Sequence, residues 1–181
     1  MPAHLPSPGD VVAFWRDAGP DKWFRKDDAF DRAFSGRFLP AHEAAARGEL
    51  DGWSASAEGA LALCILLDQF PRNAFRGTPR VFATDAKARD VARAAVDAGL
   101  DRQVERPLRQ FLHLPFMHSE RLEDQERCVV LAGDDEESRR WALHHRDIIR
   151  RFGRFPHRNA VLGRESTPEE LAFLAEGGFS G

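Results

Sequence analysis

Tyrosine is absent from this chain of 181 residues, cysteine occurs only twice, and no apolar run is long enough to cross a bilayer. Each absence excludes something. With 14 Phe and no Tyr, the aromatic core relies on rings that need no buried hydroxyl partner. Cys64 and Cys128 each sit in apolar surroundings and are expected to be buried free thiols, not a disulfide or a metal pair. That usage points to a reducing compartment, with the cytoplasm as the expected location. The longest apolar run, Ala60 to Leu67, is too short for a membrane span. The start, Met1 to Asp10, carries Pro2, Pro6 and Pro8 where a secretion signal would carry an apolar stretch. No membrane partner is therefore expected.

Motifs of common chemistries are missing as well. There is no His-Glu-x-x-His, Glu-x-x-His or Cys-x-x-Cys, so no metal site is indicated. No glycine-rich phosphate loop follows a strand, no Gly-x-Ser-x-Gly elbow is present, and no cofactor is implied. The net charge of −3, with basic residues dispersed among acids, argues against a nucleic-acid partner.

What is present is helical punctuation. Ser7-Pro8 reads as a cap and first helical position, and Gly19-Pro20 as a stop. A helix from about Asp27 carries Phe30, Phe34 and Phe38 and is expected to kink or break at Pro40. Residues 56–70 are apolar nearly all round, which predicts a helix buried on every side. Asp85 is expected to cap a helix whose Ala88, Val91, Ala92, Ala95 and Val96 form a small-residue stripe. Further helices are predicted from Pro107 to about Leu114-Pro115, from Ser119 to Leu131, and from Glu136 to Phe152 with Trp141, His145, Ile148 and Phe152 facing the core. Thr167-Pro168-Glu169-Glu170 is a capping box. No alternating strand pattern appears. The reading is all-α, a single helical domain over residues 1–181, built of antiparallel helix hairpins stacked as a compact α-α superhelix.

A short phrase occurs twice, as Phe70-Pro71-Arg72-Asn73-Ala74 and Phe155-Pro156-His157-Arg158-Asn159-Ala160. Each copy reaches a glycine four residues past the asparagine, Gly77 and Gly163. On a helix Asp68 and Arg72 share a line, although Pro71 is expected to end that helix before Arg72. A carboxylate at the end of a buried helix needs a cation or several donors, supplied by Arg72, Arg76, Arg80 or the arginines of the second copy. Arg146 and Arg150 lie one turn apart, facing either an anion or local acids such as Asp147 and Glu136. His118 and Gln125 fall near an otherwise apolar helical line, where His118 is a candidate acid/base or a loop cap.

The chain resembles a bacterial family. Phe14-Trp15, Trp23-Phe24, Leu66 to Asn73, Phe75 to Pro79, Ala83-Thr84-Asp85, His118-Ser119-Glu120, Asp124-Gln125, Arg151 to Asn159 and Leu162 to Glu170 are similar to proteins grouped as domain-of-unknown-function family 924. The resemblance runs from about Asp10 to Glu176 and implies a helical fold akin to tetratricopeptide superhelices. It implies no activity and no catalytic residue.

Three functional expectations follow. The first is a module that binds a small anionic ligand or acidic peptide in a pocket between helices. Arg72, Asn73, Arg80, Gln125, Arg158 and Asn159 would bind, with His157 beside them. The second is an enzyme using the same pocket, with His118 or His157 as acid/base and Asp68 as orienting partner. The third is a protein-interaction scaffold in which both phrases are structural turns.

Overall fold

Local capping sets several helix starts. Ser7 accepts the Asp10 amide while the Asp10 carboxylate accepts the Ser7 amide, opening α1 (Pro8–Ala18). A short α2 (Pro20–Trp23) follows. Asp27 accepts the Ala29 and Phe30 amides to open α3 (Asp28–Ala46). The computed structural model describes residues 5–180, and among these residues the regular structure is entirely helical, without strands. The remaining helices are α4 (Ala57–Cys64), α5 (Phe70–Ala74), α6 (Asp85–Asp97), α7 (Arg106–Met117), α8 (Leu122–Ala132), α9 (Glu136–Phe152) and α10 (Pro168–Ala175). The predicted capping box of α10 is present, with Thr167 and Glu170 bonding reciprocally. No described helix is long and apolar enough to cross a membrane.

The chain falls into two compact units. One comprises the residues up to Arg76 together with Arg80–Pro115; the other comprises Gly77–Pro79 and the residues from Phe116 onward. The first has an aromatic core. Phe30, Phe34 and Phe38 on α3 are buried and pack with Phe14, Trp15 and Phe70. Trp23 stacks on Trp15 and donates its indole N–H to the Trp15 carbonyl at 2.7 Å. In the second unit α8 and α9 form a hairpin, and Ile148, Ile149 and Phe155 make a core flanked by Phe152, Phe173 and Phe179.

Several expectations are corrected. α3 runs unbroken through Pro40. Gly36 and Pro40 are both exposed, so the carbonyl that Pro40 leaves without a donor is open to water. α7 likewise continues through Pro115 to Met117. α8 starts at Leu122, not at Ser119; Ser119 instead accepts the Arg121 amide and donates to Asp124, holding the preceding loop. Trp141 is exposed, at the rim of the predicted α9 stripe.

The largest departure lies in the buried segment. Between α4 and α5 the chain makes one π-helical turn, Ile65–Gln69, with the Phe70 amide bonded to the Ile65 carbonyl. Pro71 therefore does not end the helix, which continues through Arg72 and Asn73 to Ala74. The register change strips donors from the Leu66 and Leu67 carbonyls. Phe70 is engaged elsewhere, and Pro71 has no N–H to give. Both carbonyls are served from other helices or turns: His42 Nδ1 lies 2.8 Å from Leu66 O, and Thr84 Oγ1 donates to Leu67 O at 2.5 Å. A carbonyl only accepts, so His42 carries its proton on Nδ1. Its ring stacks on Phe70 with centroids 4.8 Å apart. Burial pushes the His42 imidazole down from its ordinary value, keeping it neutral.

Thr84→Val removes the donor to Leu67 and leaves a buried carbonyl unsatisfied. Urea denaturation is expected to show a loss of about 1–3 kcal/mol with an unchanged m-value. A loss below about 0.5 kcal/mol would mean that the π turn does not depend on this bond.

Candidate functional site

The two phrases adopt different backbones: the first is the α-helical α5, and the second a 3-10 turn, Pro156–Arg158. Their asparagines nevertheless do similar work. Asn73 is buried; its Nδ2 donates to the Gln69 carbonyl at 2.9 Å and its Oδ1 accepts Arg76 Nη2 at 3.2 Å. Arg76 then pairs with Asp31 at 3.0 Å. Asn159, also buried, accepts Arg164 Nε at 2.9 Å and donates to Ser166 and Glu170. Arg164 in turn grips Glu120 through two bonds of 2.8 and 2.9 Å. In each copy a buried amide orients an arginine that reaches a carboxylate elsewhere in the same unit. Both following glycines are left-handed, Gly77 at φ 76° and Gly163 at φ 66°, a conformation that disfavours other residues.

The remaining candidates of the first unit are engaged by neighbours. Arg72 pairs bidentately with Asp85 at 2.8 and 3.0 Å, lies 3.2 Å from Asp68 and donates to the Asp68 carbonyl. Burial works against its charge, but Asp68 and Asp85 outweigh that and raise its pKa. Asp85 thus serves Arg72 and is the first residue of α6, whose capping position is Thr84, contrary to expectation. Asp68 is fully buried and also accepts Gln69 Nε2 at 2.7 Å. Arg80 is exposed, lying 3.7 Å over the Phe75 ring centroid and 3.8 Å from Glu43. Cys64 is buried, and burial with nearby Asp68 holds its thiol protonated.

In the second unit Gln125 is completely buried and donates to the Met117 and Ser119 carbonyls, each at 2.7 Å. Its Oε1 is buried without a protein donor. Arg146 pairs with Asp147 at 2.7 Å and, like Arg150, lies within 4 Å of Glu126, so local acids face this pair.

Cationic and ionisable groups concentrate around Phe155. Arg158 is buried, lies 4.6 Å from the Phe155 centroid and donates to the His118 carbonyl at 2.9 Å. The His145 and His157 rings pack against Phe155 at 5.7 and 5.6 Å. His145 is buried at 6% exposure, and His118 and His157 are half-buried. The Nδ1 of His145 lies 2.9 Å from the Trp141 carbonyl, which places its proton on Nδ1. Burial, reinforced by the positive potential of His118, His144 and Arg158, pushes His145 down to about 4. The sequence marked His118, His157 and Arg158. It assigned His145 only to the core stripe, because its role here depends on side chains far away in the chain. Among the described residues no cluster of His, Cys, Asp and Glu is arranged to hold a metal ion.

Residues 11–178 match a family described as "Bacterial protein of unknown function (DUF924)". The chain belongs to this family. A structural relative within reach is a protein of unknown function, ATU0120, from Agrobacterium tumefaciens. The two share 54% identity, the alignment covers 94% of this chain and 97% of the other, and the TM-score is 0.91. Among curated proteins, no sequence matches the chain.

Two predictions concern this DUF924 protein. Asn159→Ala leaves Arg164 misoriented beside Glu120 and should cost about 1–3 kcal/mol in chemical denaturation. The second is a pH dependence. His145 stays neutral when folded down to about 4, whereas an unfolded histidine takes its proton near 6.5. Its contribution is therefore intact above pH 6.5 and is lost progressively between 6.5 and 4, by about 3 kcal/mol. His42 and His113, both lowered chiefly by burial, act in the same direction. Glu170, held at about 2 chiefly by Arg154, contributes stability that is lost as the pH falls from about 4.5 to about 2. His145→Phe should flatten the stability profile between pH 6.5 and 4; an unchanged slope would contradict the assignment.

Proposed function

We propose that this protein binds a small anionic ligand through the second unit, at the cluster of His118, His145, His157 and Arg158 around Phe155. The observation that carries the reading is the gathering of one buried guanidinium and two imidazoles, His145 and His157, on a single aromatic wall, with His118 in electrostatic range of His145. Like-signed and ionisable groups brought together in a poorly solvated place repel one another. An anion seated there converts that repulsion into attraction, with the guanidinium as a fixed charge and the imidazoles as groups that become cationic on binding. Arg72, Asn73, Gln125 and Asn159 are read as structural members of their turns, since their bonds go to neighbouring carboxylates, amides and carbonyls. A cytoplasmic location is proposed on the two buried free thiols, Cys64 and Cys128.

Titration calorimetry with inorganic phosphate tests the reading. Affinity is expected to rise from pH 8 to pH 6, and Arg158→Gln is expected to weaken it roughly tenfold or more. Arg80→Gln, an exposed position in the first unit, should leave it unchanged. Equal binding by wild type and Arg158→Gln would remove the cluster from consideration.

A further inference from the structure

A groove runs between α1 and α3 of the first unit, and its floor is aromatic. Phe14 stacks on Phe30 and on Phe34 with centroids 5.5 Å apart in each case, and it meets Phe38 edge-on at 5.2 Å. Above these rings the walls are short. Ala13 on α1 and Ala29 and Ala33 on α3 are exposed and reach no further than Cβ. The result is an open groove of about 520 Å³ in which the half-buried Phe14 is accessible from outside. An accessible apolar floor inside a charged rim marks an interaction surface.

The rim charges are sorted by side. On α1, Asp10 and Asp17 stand two turns apart on the face that carries Ala13. Across the groove stand two cations: Arg37, 5.7 Å from the Phe14 centroid, and Lys22, whose Nζ lies 6.0 Å over the Phe30 ring of α3. At one end Asp10 and Arg37 are 3.6 Å apart, both about half exposed. At the other end Asp17 and Lys22 are exposed, and neither forms an ion pair with a described residue. Lys22 acts on Asp27 only at a distance.

This sorting is self-complementary. A second copy, turned over about a two-fold axis along the groove, lays its α3 side against the first copy's α1 side, with like ends together. Asp17 then faces the partner's Lys22, and Lys22 faces the partner's Asp17. The Asp10–Arg37 pairs of the two copies meet with charges alternating in sign. The short walls let the two grooves close on each other and cover both Phe14 rings.

We propose that the α1–α3 groove is the isologous interface of a homodimer of this chain, with Phe14 and its alanine walls as the apolar contact and Asp17 and Lys22 setting the register.

Sedimentation equilibrium over a concentration series tests it. The wild-type chain, 20.4 kDa, is expected to approach twice that mass as the concentration rises. Ala33→Arg fills the groove from an exposed helical position and should weaken dimerisation about tenfold or more, with an unchanged urea midpoint. Asp17→Lys should weaken it about fivefold or more, since the two-fold axis places the repulsion twice. Adding Lys22→Asp should restore the dimer, because the swap re-forms the same pairs with signs reversed. A wild-type monomer at every concentration overturns the proposal and leaves the groove to a different partner. A dimer that withstands Ala33→Arg is formed elsewhere on the molecule, which overturns it as well. Should Ala33→Arg not fold, the charge swap decides alone: failure of Lys22→Asp to rescue Asp17→Lys contradicts the two-fold pairing.

Discussion

A helix buried on every side must find a donor for each carbonyl it exposes to the core, and the π turn at Ile65–Gln69 makes this demand acute. Four successive carbonyls there accept side chains: Leu66 from His42, Leu67 from Thr84, Asp68 from Arg72 and Gln69 from Asn73. The first two donors come from elsewhere in the first unit. They tie α3 and the start of α6 to this turn by hydrogen bonds as well as by apolar packing. His42 does this as the last member of the α3 stripe that begins with Phe30, Phe34 and Phe38, so one helical face supplies aromatic packing and then a polar fastening. Arg72, once carried past Pro71 by the continuing helix, reaches Asp68 and Asp85 together.

The second copy of the phrase meets a similar need with other means. Asn159 steers Arg164 onto Glu120, much as Asn73 steers Arg76 toward Asp31. Burial works against the charge of Glu120, but Arg164 and the Phe155 amide outweigh it and hold its carboxyl below the usual range. The second copy forms a 3-10 turn, and its extra residue, His157, brings an imidazole beside Phe155. What distinguishes the copies is therefore the company of their arginines. Arg72 is clamped between two carboxylates, whereas Arg158 lies against the Phe155 ring, with His145 and the Glu120 carboxylate in electrostatic range. Ion pairs of the first kind fix geometry at a desolvation cost.

Much of the architecture was legible in the sequence because it depends on local rules. Ser7, Asp27 and Thr167 open helices through contacts within three residues, and the Phe stripe of α3 follows from helical spacing alone. The all-helical class and the buried thiols needed nothing beyond such signals, while the family was legible through the resemblance of its motifs. The repeated phrase was conspicuous in the sequence too, since Arg and Asn beside a Pro are not required by turn formation.

What the sequence could not disclose was the outcome at its prolines and at its long-range pairs. Pro71 reads locally as a terminator, yet the helix continues, with His42, 24 residues before Leu66, and Thr84, 17 residues after Leu67, bonding the carbonyls that lose their usual amide donors. Asp85 reads locally as a cap, and it is claimed by Arg72 from 13 residues away. His145 reads as a core histidine on a helical stripe, and its depressed basicity arises chiefly from burial, with His118 and Arg158, which folding alone brings near, adding to it. Caps and periodicities are properties of a few adjacent residues, so the sequence determined them by itself. Which buried donor meets which buried acceptor is a property of packed neighbours, and that only the tertiary structure decided.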